Sequence, residues 1–283
     1  MPSFIRTGRP KVFRRPVCAA ARAMHCAPHL YCIIAGYINR FLPIMPRFFV
    51  DAALTEGAAV SLPPAVVRHL HVLRCRAGEE IVLFNGGGFA YPAVLEHIGK
   101  READARILAE RPSESESPLS VTLVQAVSAG EKMDFIIQKS VELGVNEIFP
   151  VVSTRSVARL DGERAAKRVA RWQEIAVAAC EQSGRDTVPA IRPLLPFTQA
   201  LALLPAGGTR LLMSPRNGTG LRTLPPTRHA ILAVGPEGGW TEQEAAAAAA
   251  AGFAAVTLGR RVLRTETAPV AALAAMQTLW GDF

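Results

Sequence analysis

From residue 119 onward the chain alternates short strand-forming runs with longer stretches of helical period, and this alternation leaves few folds open. The runs at 121–127, 147–152, 211–213, 231–234 and 255–258 read as strands. Between the first two, 131–143 carries Met133, Ile136, Ile137 and Val141 on one helical face and stops at Gly144. Further helices are predicted over 163–182, ending near Gly184, over 241–251 with an all-alanine interior, and over 269–280. Strands alternating with helices predict an α/β domain with a mainly parallel sheet covered on both faces. Ligands of such sheets bind at the carboxyl ends of the strands. An unknotted, doubly wound sheet is the default arrangement, since knotted chains are rare.

The residues ahead of this region follow a different pattern. Within 45–112 the strand candidates are 48–50, 58–62, 80–84 and 90–95, and Gly86-Gly87-Gly88 joins the last two as a hairpin loop. A short helix is predicted over 64–73, and the whole suggests a small barrel. Arg68, Arg74 and Arg76 lie close together there; a solvated helix face explains them as well as RNA phosphate contacts do. The polar, turn-rich Arg111-Pro-Ser-Glu-Ser-Glu-Ser-Pro118 separates the two regions, with 113–118 read as an interdomain linker and 119–283 as the second domain. Two domains suit 283 residues, at about 100–200 residues each.

Residues 1–44 resemble neither region. They hold seven basic residues, no acidic one and three of the five cysteines. A targeting peptide is one reading, because 30–38 has the length of a signal peptide's apolar core, yet no small-residue cleavage site follows it. The favoured expectation is an extension outside the native fold, arising from an upstream translation start ahead of a chain that begins at Met45. Without it the net charge of +8 falls to +1, so a nucleic-acid claim must rest on local patches and motifs. No apolar run reaches the roughly 18 residues of a membrane-spanning helix, and the cysteines show no Cys-x-x-Cys pair or metal-ligand spacing. Neither a membrane partner nor a metal is expected.

Two loops stand out as candidates for chemistry. Gly235-Pro-Glu-Gly-Gly-Trp240 follows one predicted strand and precedes a helix whose start is marked by the capping box Thr241-x-x-Glu244. Its glycines let backbone amides approach a ligand, although it matches neither a dinucleotide fingerprint nor a P-loop. Gly259-Arg-Arg-Val-Leu-Arg-Thr-Glu-Thr-Ala-Pro269 is long for a strand-to-helix connection, and such length usually goes with function. Its Arg261, Arg264 and Glu266 either pair with one another or wrap a cofactor and turn an arginine toward a substrate. A third cluster, Cys180-Glu-Gln-Ser-Gly-Arg185, ends the long helix. Ser183 lacks a nucleophile elbow, Cys180 reads as core, and His69, His71, His97 and His229 are scattered, so hydrolase and metal chemistry have little support.

Taken together, Leu232-Ala-Val-Gly-Pro-Glu-Gly-Gly-Trp-Thr-Glu-Gln-Glu244 and Leu258-Gly-Arg-Arg-Val-Leu-Arg-Thr-Glu-Thr-Ala268 resemble the cofactor loops of SPOUT methyltransferases. More narrowly, the chain resembles the ribosomal RNA small-subunit methyltransferase E family. Supporting blocks are Met45-Pro-Arg-Phe-Phe-Val50, His69-x-x-Val-Leu-Arg74, Lys132-Met133-Asp134 with Lys139-x-x-Glu-Leu-Gly144, and Ala179-Cys-Glu-Gln-Ser-Gly-Arg185. They run in order across nearly all of 45–283.

The resemblance implies a PUA-like β-barrel that helps hold RNA, followed by a homodimeric α/β domain with a C-terminal trefoil knot. It implies S-adenosylmethionine as cofactor, held by Leu211, Leu212 and Met213, by Gly235, Pro236, Glu237, Gly238 and Gly239, and by Leu258, Gly259, Val262, Leu263 and Thr267. The implied reaction is methylation of N3 of a uridine in 16S rRNA, with the assembled small ribosomal subunit as substrate and the cytoplasm as compartment. Arg47, Arg68, Arg74 and Arg76 become candidate RNA contacts. Uracil N3 must lose its proton, which calls for a carboxylate acceptor and a cation beside the carbonyl oxygens. Glu181 or Glu266 fits the first role, and Arg185 or Arg264 the second. Two other readings stay open: a SPOUT enzyme acting on another rRNA or tRNA nucleotide, and an RNA-binding protein without catalysis.

Overall fold

A computed structural model describes residues 45–156, 162–215 and 218–283, and the extension expected over 1–44 lies outside these. The first lobe is built from β1 (Arg47–Phe49), β2 (Ala59–Ser61), α1 (Pro64–Leu73), β3 (Glu80–Phe84), β4 (Phe89–Ile98), β5 (Ala103–Ile107) and β6 (Arg111–Pro112). Its strands run in the order β1-β3-β4-β5-β2, with β6 added to β4; only the β1–β3 pair is parallel among them. Proline suits the first position of α1, where no helical N–H is needed. The helix buries Val66, Val67 and Leu70 against Phe48, Ile81, Leu83, Tyr91 and Leu95 of the surrounding strands. The hairpin expected at 86–88 joins β3 and β4, with Gly86 and Gly88 at positive φ.

The second lobe contains β7 (Ser120–Ala126), α2 (Lys132–Glu142), β8 (Glu147–Val152), α3 (Gly162–Ser183), β9 (Ala190–Ile191), β10 (Leu195–Pro196), α4 (Phe197–Leu201), β11 (Thr209–Met213), β12 (Thr219–Gly220), β13 (His229–Val234), α5 (Glu242–Ala250), β14 (Ala254–Thr257) and α6 (Thr267–Trp280). The sheet order is β10-β8-β7-β13-β11-β14-β12, with β9 on β8, and every pairing is parallel. The parallel sheet expected from the alternation is therefore present.

Its central strands are buried on both faces. Val121, Leu123, Ile148, Leu211 and Leu232 pack on one side with Ile136 and Ile137 of α2, Trp172 of α3 and Leu273 of α6. Their neighbours Val124, Phe149, Val151, Leu212 and Ile231 pack on the other with Phe197 of α4 and Ala248 of α5. Each fully buried Val, Leu, Ile or Phe side chain contributes about 1.5–3 kcal/mol. Helix α2 stops where glycine is required twice over. Gly144 has φ +81°, and a Cβ there would lie 2.6 Å from Nε2 of Gln277, which donates to the carbonyl of Leu143.

The segment read as an interdomain linker makes contacts with the second lobe's chain. Arg111–Pro112 is the strand β6, the Ser117 hydroxyl donates to Gln277 on α6, and Glu116 pairs with Arg185. Polar composition marked these residues as exposed connection, but their side chains find partners far along the chain. Accordingly, 45–283 clusters as one compact unit. The joint between the lobes is polar as well. The Phe49 amide donates to Glu181 at 2.9 Å, and Arg47 pairs with Asp186.

Candidate functional site

Because the sheet is parallel, the carboxyl ends of β7, β8, β11, β13 and β14 share one rim, and the loops leaving them face one another there. The loop after β14 closes the site. β14 lies beyond β11 from β13, yet α6 packs back against α2 and β13. The intervening 258–266 must therefore cross the rim. Thr265 stitches it down, donating to the Gly235 carbonyl at 2.7 Å and lying 3.3 Å from the Ser128 hydroxyl.

Between this crossing segment and the loop 235–240 lies a cleft of about 790 Å³. Its apolar walls include Leu212, Met213, Val234, Leu258 and Leu263, and Trp240 closes one side, stacked on Phe197 at 4.3 Å between ring centroids. Gly235 leaves room for that indole, since a Cβ there would sit 3.3 Å from it. Arg155, also in the lining, donates to the carbonyls of Gly238 at 2.9 Å and Trp240 at 3.3 Å, which holds the glycine-rich loop in shape.

The start of α5 supports the same loop. Thr241 and Glu244 form the expected capping box, and Glu244 also accepts from the Thr154 amide at 2.8 Å. Burial pushes the Glu244 carboxyl up, but hydrogen bonds from Thr241, Thr154 and Ser153 outweigh it and hold the group below its ordinary value of 4.5. That contribution is present above the unfolded value and disappears as pH falls through the lower folded one. Replacing Glu244 with Ala is expected to cost about 1–2 kcal/mol near neutral pH. Urea melts across acid pH should show the wild-type and variant curves converging; a gap that stays constant would contradict this.

Charged groups gather at one end of the cleft. Lys132, in the first turn of α2, donates to Glu237 at 2.8 Å and lies 3.8 Å from Oε2 of Glu266. Glu237 also accepts from the Ala129 amide at 3.3 Å. Burial raises the Glu237 carboxyl, yet the Lys132 ammonium and the backbone amides prevail and hold it below the ordinary range; the bond to Glu237 raises Lys132 in turn. Oε2 of Glu266 is buried and has no hydrogen-bond partner among the described residues. Arg264 lies near Lys132 at this end, and Arg261 also lines the cleft.

This geometry sorts the candidates. Leu212, Met213, Gly235, Pro236, Glu237, Gly238, Gly239, Leu258, Val262 and Leu263 line the cleft, as do Arg264 and Glu266. Leu211 does not, because it points the other way on its strand into the core beneath α2 and α3; Gly259 and Thr267 flank the cleft without lining it. Val262 lines it from an exposed position, 70% accessible. Glu181 sits instead at the joint between lobes, where burial raises its carboxyl despite the Phe49 amide. Arg185 is 4% exposed, with its fork on Glu116 and Nη1 on the carbonyls of Val141 and Val145. Cys180 is core, as read, and burial pushes its thiol up to about 12.

Among the arginines named for RNA, Arg68, Arg74 and Arg76 are exposed around α1 and its end. Arg47 is not with them, being turned inward onto Asp186 and the Phe84 ring. Sequence reasoning missed Lys132, Arg155 and Trp240 as cleft residues. Trp240 stood in the quoted loop and Lys132 in a quoted block, but Arg155 lies more than 80 residues from the carbonyls it holds and carried no signal.

Known proteins place this architecture. The model for an RNA methyltransferase domain matches residues 115–277, and that for an RNA methyltransferase PUA domain matches 62–108. Ribosomal RNA small subunit methyltransferase E of Buchnera aphidicola is 31% identical over 243 residues, 84% of this chain and 98% of the relative. The chain belongs to the ribosomal RNA small subunit methyltransferase E family. A solved member of that family from Neisseria gonorrhoeae, bound to S-adenosyl methionine, is 53% identical and superposes with a TM-score of 0.80, covering 84% of this chain and 99% of that one. A methyltransferase from Legionella pneumophila in complex with bound SAM is 34% identical, with a TM-score of 0.79 over 84% and 99% of the two chains. The fold is accordingly that of the family: a PUA-like lobe followed by a SPOUT-type α/β methyltransferase lobe.

Proposed function

We propose that this chain methylates N3 of a uridine in 16S rRNA of the assembled small ribosomal subunit, using S-adenosylmethionine. The observation that carries the reading is the cleft itself, formed by two loops at one sheet rim and holding both a glycine-rich cradle and a carboxylate with an uncommitted oxygen. Its residues fit such a cofactor. The apolar walls of Leu212, Met213, Leu258 and Leu263 suit an adenine ring, and Trp240 Nε1, without a partner among the described residues, and the glycine-rich backbone supply fixed polar points. When bound, S-adenosylmethionine supplies an activated methyl group on a sulfonium.

The remaining work falls to the chain's own residues. Glu266 accepts the proton from uracil N3, leaving the nitrogen lone pair as nucleophile. Arg264 stabilises the negative charge that spreads onto the neighbouring carbonyl oxygens. Glu181 and Arg185 take no part within this chain, since neither reaches the cleft. The exposed Arg68, Arg74 and Arg76 meet RNA phosphates, so binding to the subunit weakens as salt rises.

The crossing of 258–266 over the rim supports the trefoil knot. The half-exposed Phe135 of α2 and Leu279 of α6, on helices that pack together, support a second copy of the chain as partner, in the cytoplasm. The test is transfer of labelled methyl from S-adenosylmethionine to unmodified small subunits. Label in 16S rRNA is expected. No label, or label only in tRNA or large-subunit RNA, would overturn the reading.

A further inference from the structure

Lys132 occupies a place that helix energetics disfavour. It is the first residue of α2, where the helix dipole presents positive charge, so nothing in the helix itself asks for a cation there. What does ask for it are two carboxylates delivered by different loops: Glu237 from the glycine-rich loop, 2.8 Å away, and Glu266 from the crossing loop, 3.8 Å away. The commitment is uneven. Glu237 holds a hydrogen bond from the ammonium and a second from the Ala129 amide, whereas Glu266 feels the charge without receiving a bond. Arg264, two residues before Glu266 in the crossing loop, brings a second cation near Lys132.

We propose that Lys132 is a positioning residue for methyl transfer, which locks Glu237 as a strut between the two cleft loops and so holds Glu266 with an oxygen free to take the substrate's proton. The proposal rests on the role given above to Glu266. The division of labour follows from the distances. A fully paired Glu266 would be a poor acceptor, and one left without the Lys132–Glu237 strut would no longer be held where the substrate's proton meets it. One ammonium, bonded to the first carboxylate and merely close to the second, avoids both.

The test uses the full chain with Lys132→Met, Lys132→Arg and the double variant Lys132→Met/Glu237→Gln. For each, the transfer rate at saturating cofactor and small subunits is measured beside the KM for subunits, the Kd for S-adenosylmethionine by calorimetry, and the melting temperature. Lys132→Met is expected to slow saturated transfer by about 100-fold, the usual cost of misplacing a reacting group by about 1 Å, with KM for subunits unchanged. Lys132→Arg should restore most of the rate. The double variant should stay slow, because relieving the charge on Glu237 does not reposition Glu266.

Recovery of the rate in the double variant would overturn the proposal, since Lys132 would then serve only to neutralise Glu237. A saturated rate equal to wild type, with weaker cofactor binding or a lower melting temperature, would overturn it too, leaving Lys132 a structural clip. A wild-type chain that places no methyl on subunits fails the functional reading itself. Failure of the Lys132 variants to differ from an active wild type fails only this one.

Discussion

Glu266→Gln is expected to slow methyl transfer to the small subunit by about 100- to 10,000-fold at saturating cofactor, the range that a positioned general base supplies. The substitution keeps the size of the side chain and removes only its capacity to accept a proton. Two carboxylates line the cleft among the described residues, and they are not equivalent. Glu237 is committed to Lys132 and to the Ala129 amide, and its carboxyl is held below the ordinary range, which makes it the weaker base. Glu266 keeps Oε2 without a hydrogen-bond partner. Cofactor affinity of the variant, read by calorimetry, should match wild type. Its residual rate should climb with pH, as solvent takes over the proton that Glu266 no longer accepts. A rate close to wild type across pH would remove Glu266 from the mechanism.

Arg185→Ala is expected to lower the stability of the chain by about 2–4 kcal/mol, because it removes a buried guanidinium with four directed hydrogen bonds. Arg185 is 4% exposed and every arm of its fork is engaged: two contacts to Glu116, at 2.9 and 2.6 Å, and two to the carbonyls of Val141 and Val145, at 2.9 and 2.8 Å. It thereby ties the segment between the lobes to the turn after α2. Removing it leaves the Glu116 carboxylate and the Val145 carbonyl without this donor, while the Val141 carbonyl keeps the Gly144 amide. Lysine should rescue little, because an ammonium cannot reproduce a planar fork with four directed contacts. Denaturant melts read the loss directly, while the transfer rate per folded molecule should stay near wild type. A stable Arg185→Ala protein with a collapsed rate would return Arg185 to the chemistry.

The contrast between these two residues shows which parts of the molecule were legible in the sequence. Elements whose residues satisfy each other locally were plain: α1 over 64–73 and β8 over 147–152 have the expected bounds, and the Thr241–Glu244 capping box sits at the expected helix start. The parallel sheet was legible because each central strand carries apolar residues for two faces. Two-residue strands such as β9 and β10 were not, since they exist only by pairing with β8.

The cleft was half visible. Loops 235–240 and 258–268 announce themselves through glycine and length, and most of their named residues line it. Sequence order says nothing, however, about which strand neighbours which. The β7–β13–β11–β14 order, with the loop after β14 crossing back, sets Lys132 against Glu237 and Glu266, while Glu181 and Arg185 lie at the end of α3, away from that rim. Arg47 misled for the same reason. Its partner Asp186 lies 139 positions away, so a basic residue at the start of a strand read as exposed.

The most direct test of the central claim is nucleoside mass analysis of 16S rRNA after incubating unmodified small subunits with this chain and S-adenosylmethionine labelled in its methyl group. The account predicts the label in N3-methyluridine, present with wild type and nearly absent with Glu266→Gln. Label in a ribose 2′-hydroxyl or in another base would contradict it, because neither the proton acceptor nor the cation assigned to the cleft would then have the uracil imide to act on.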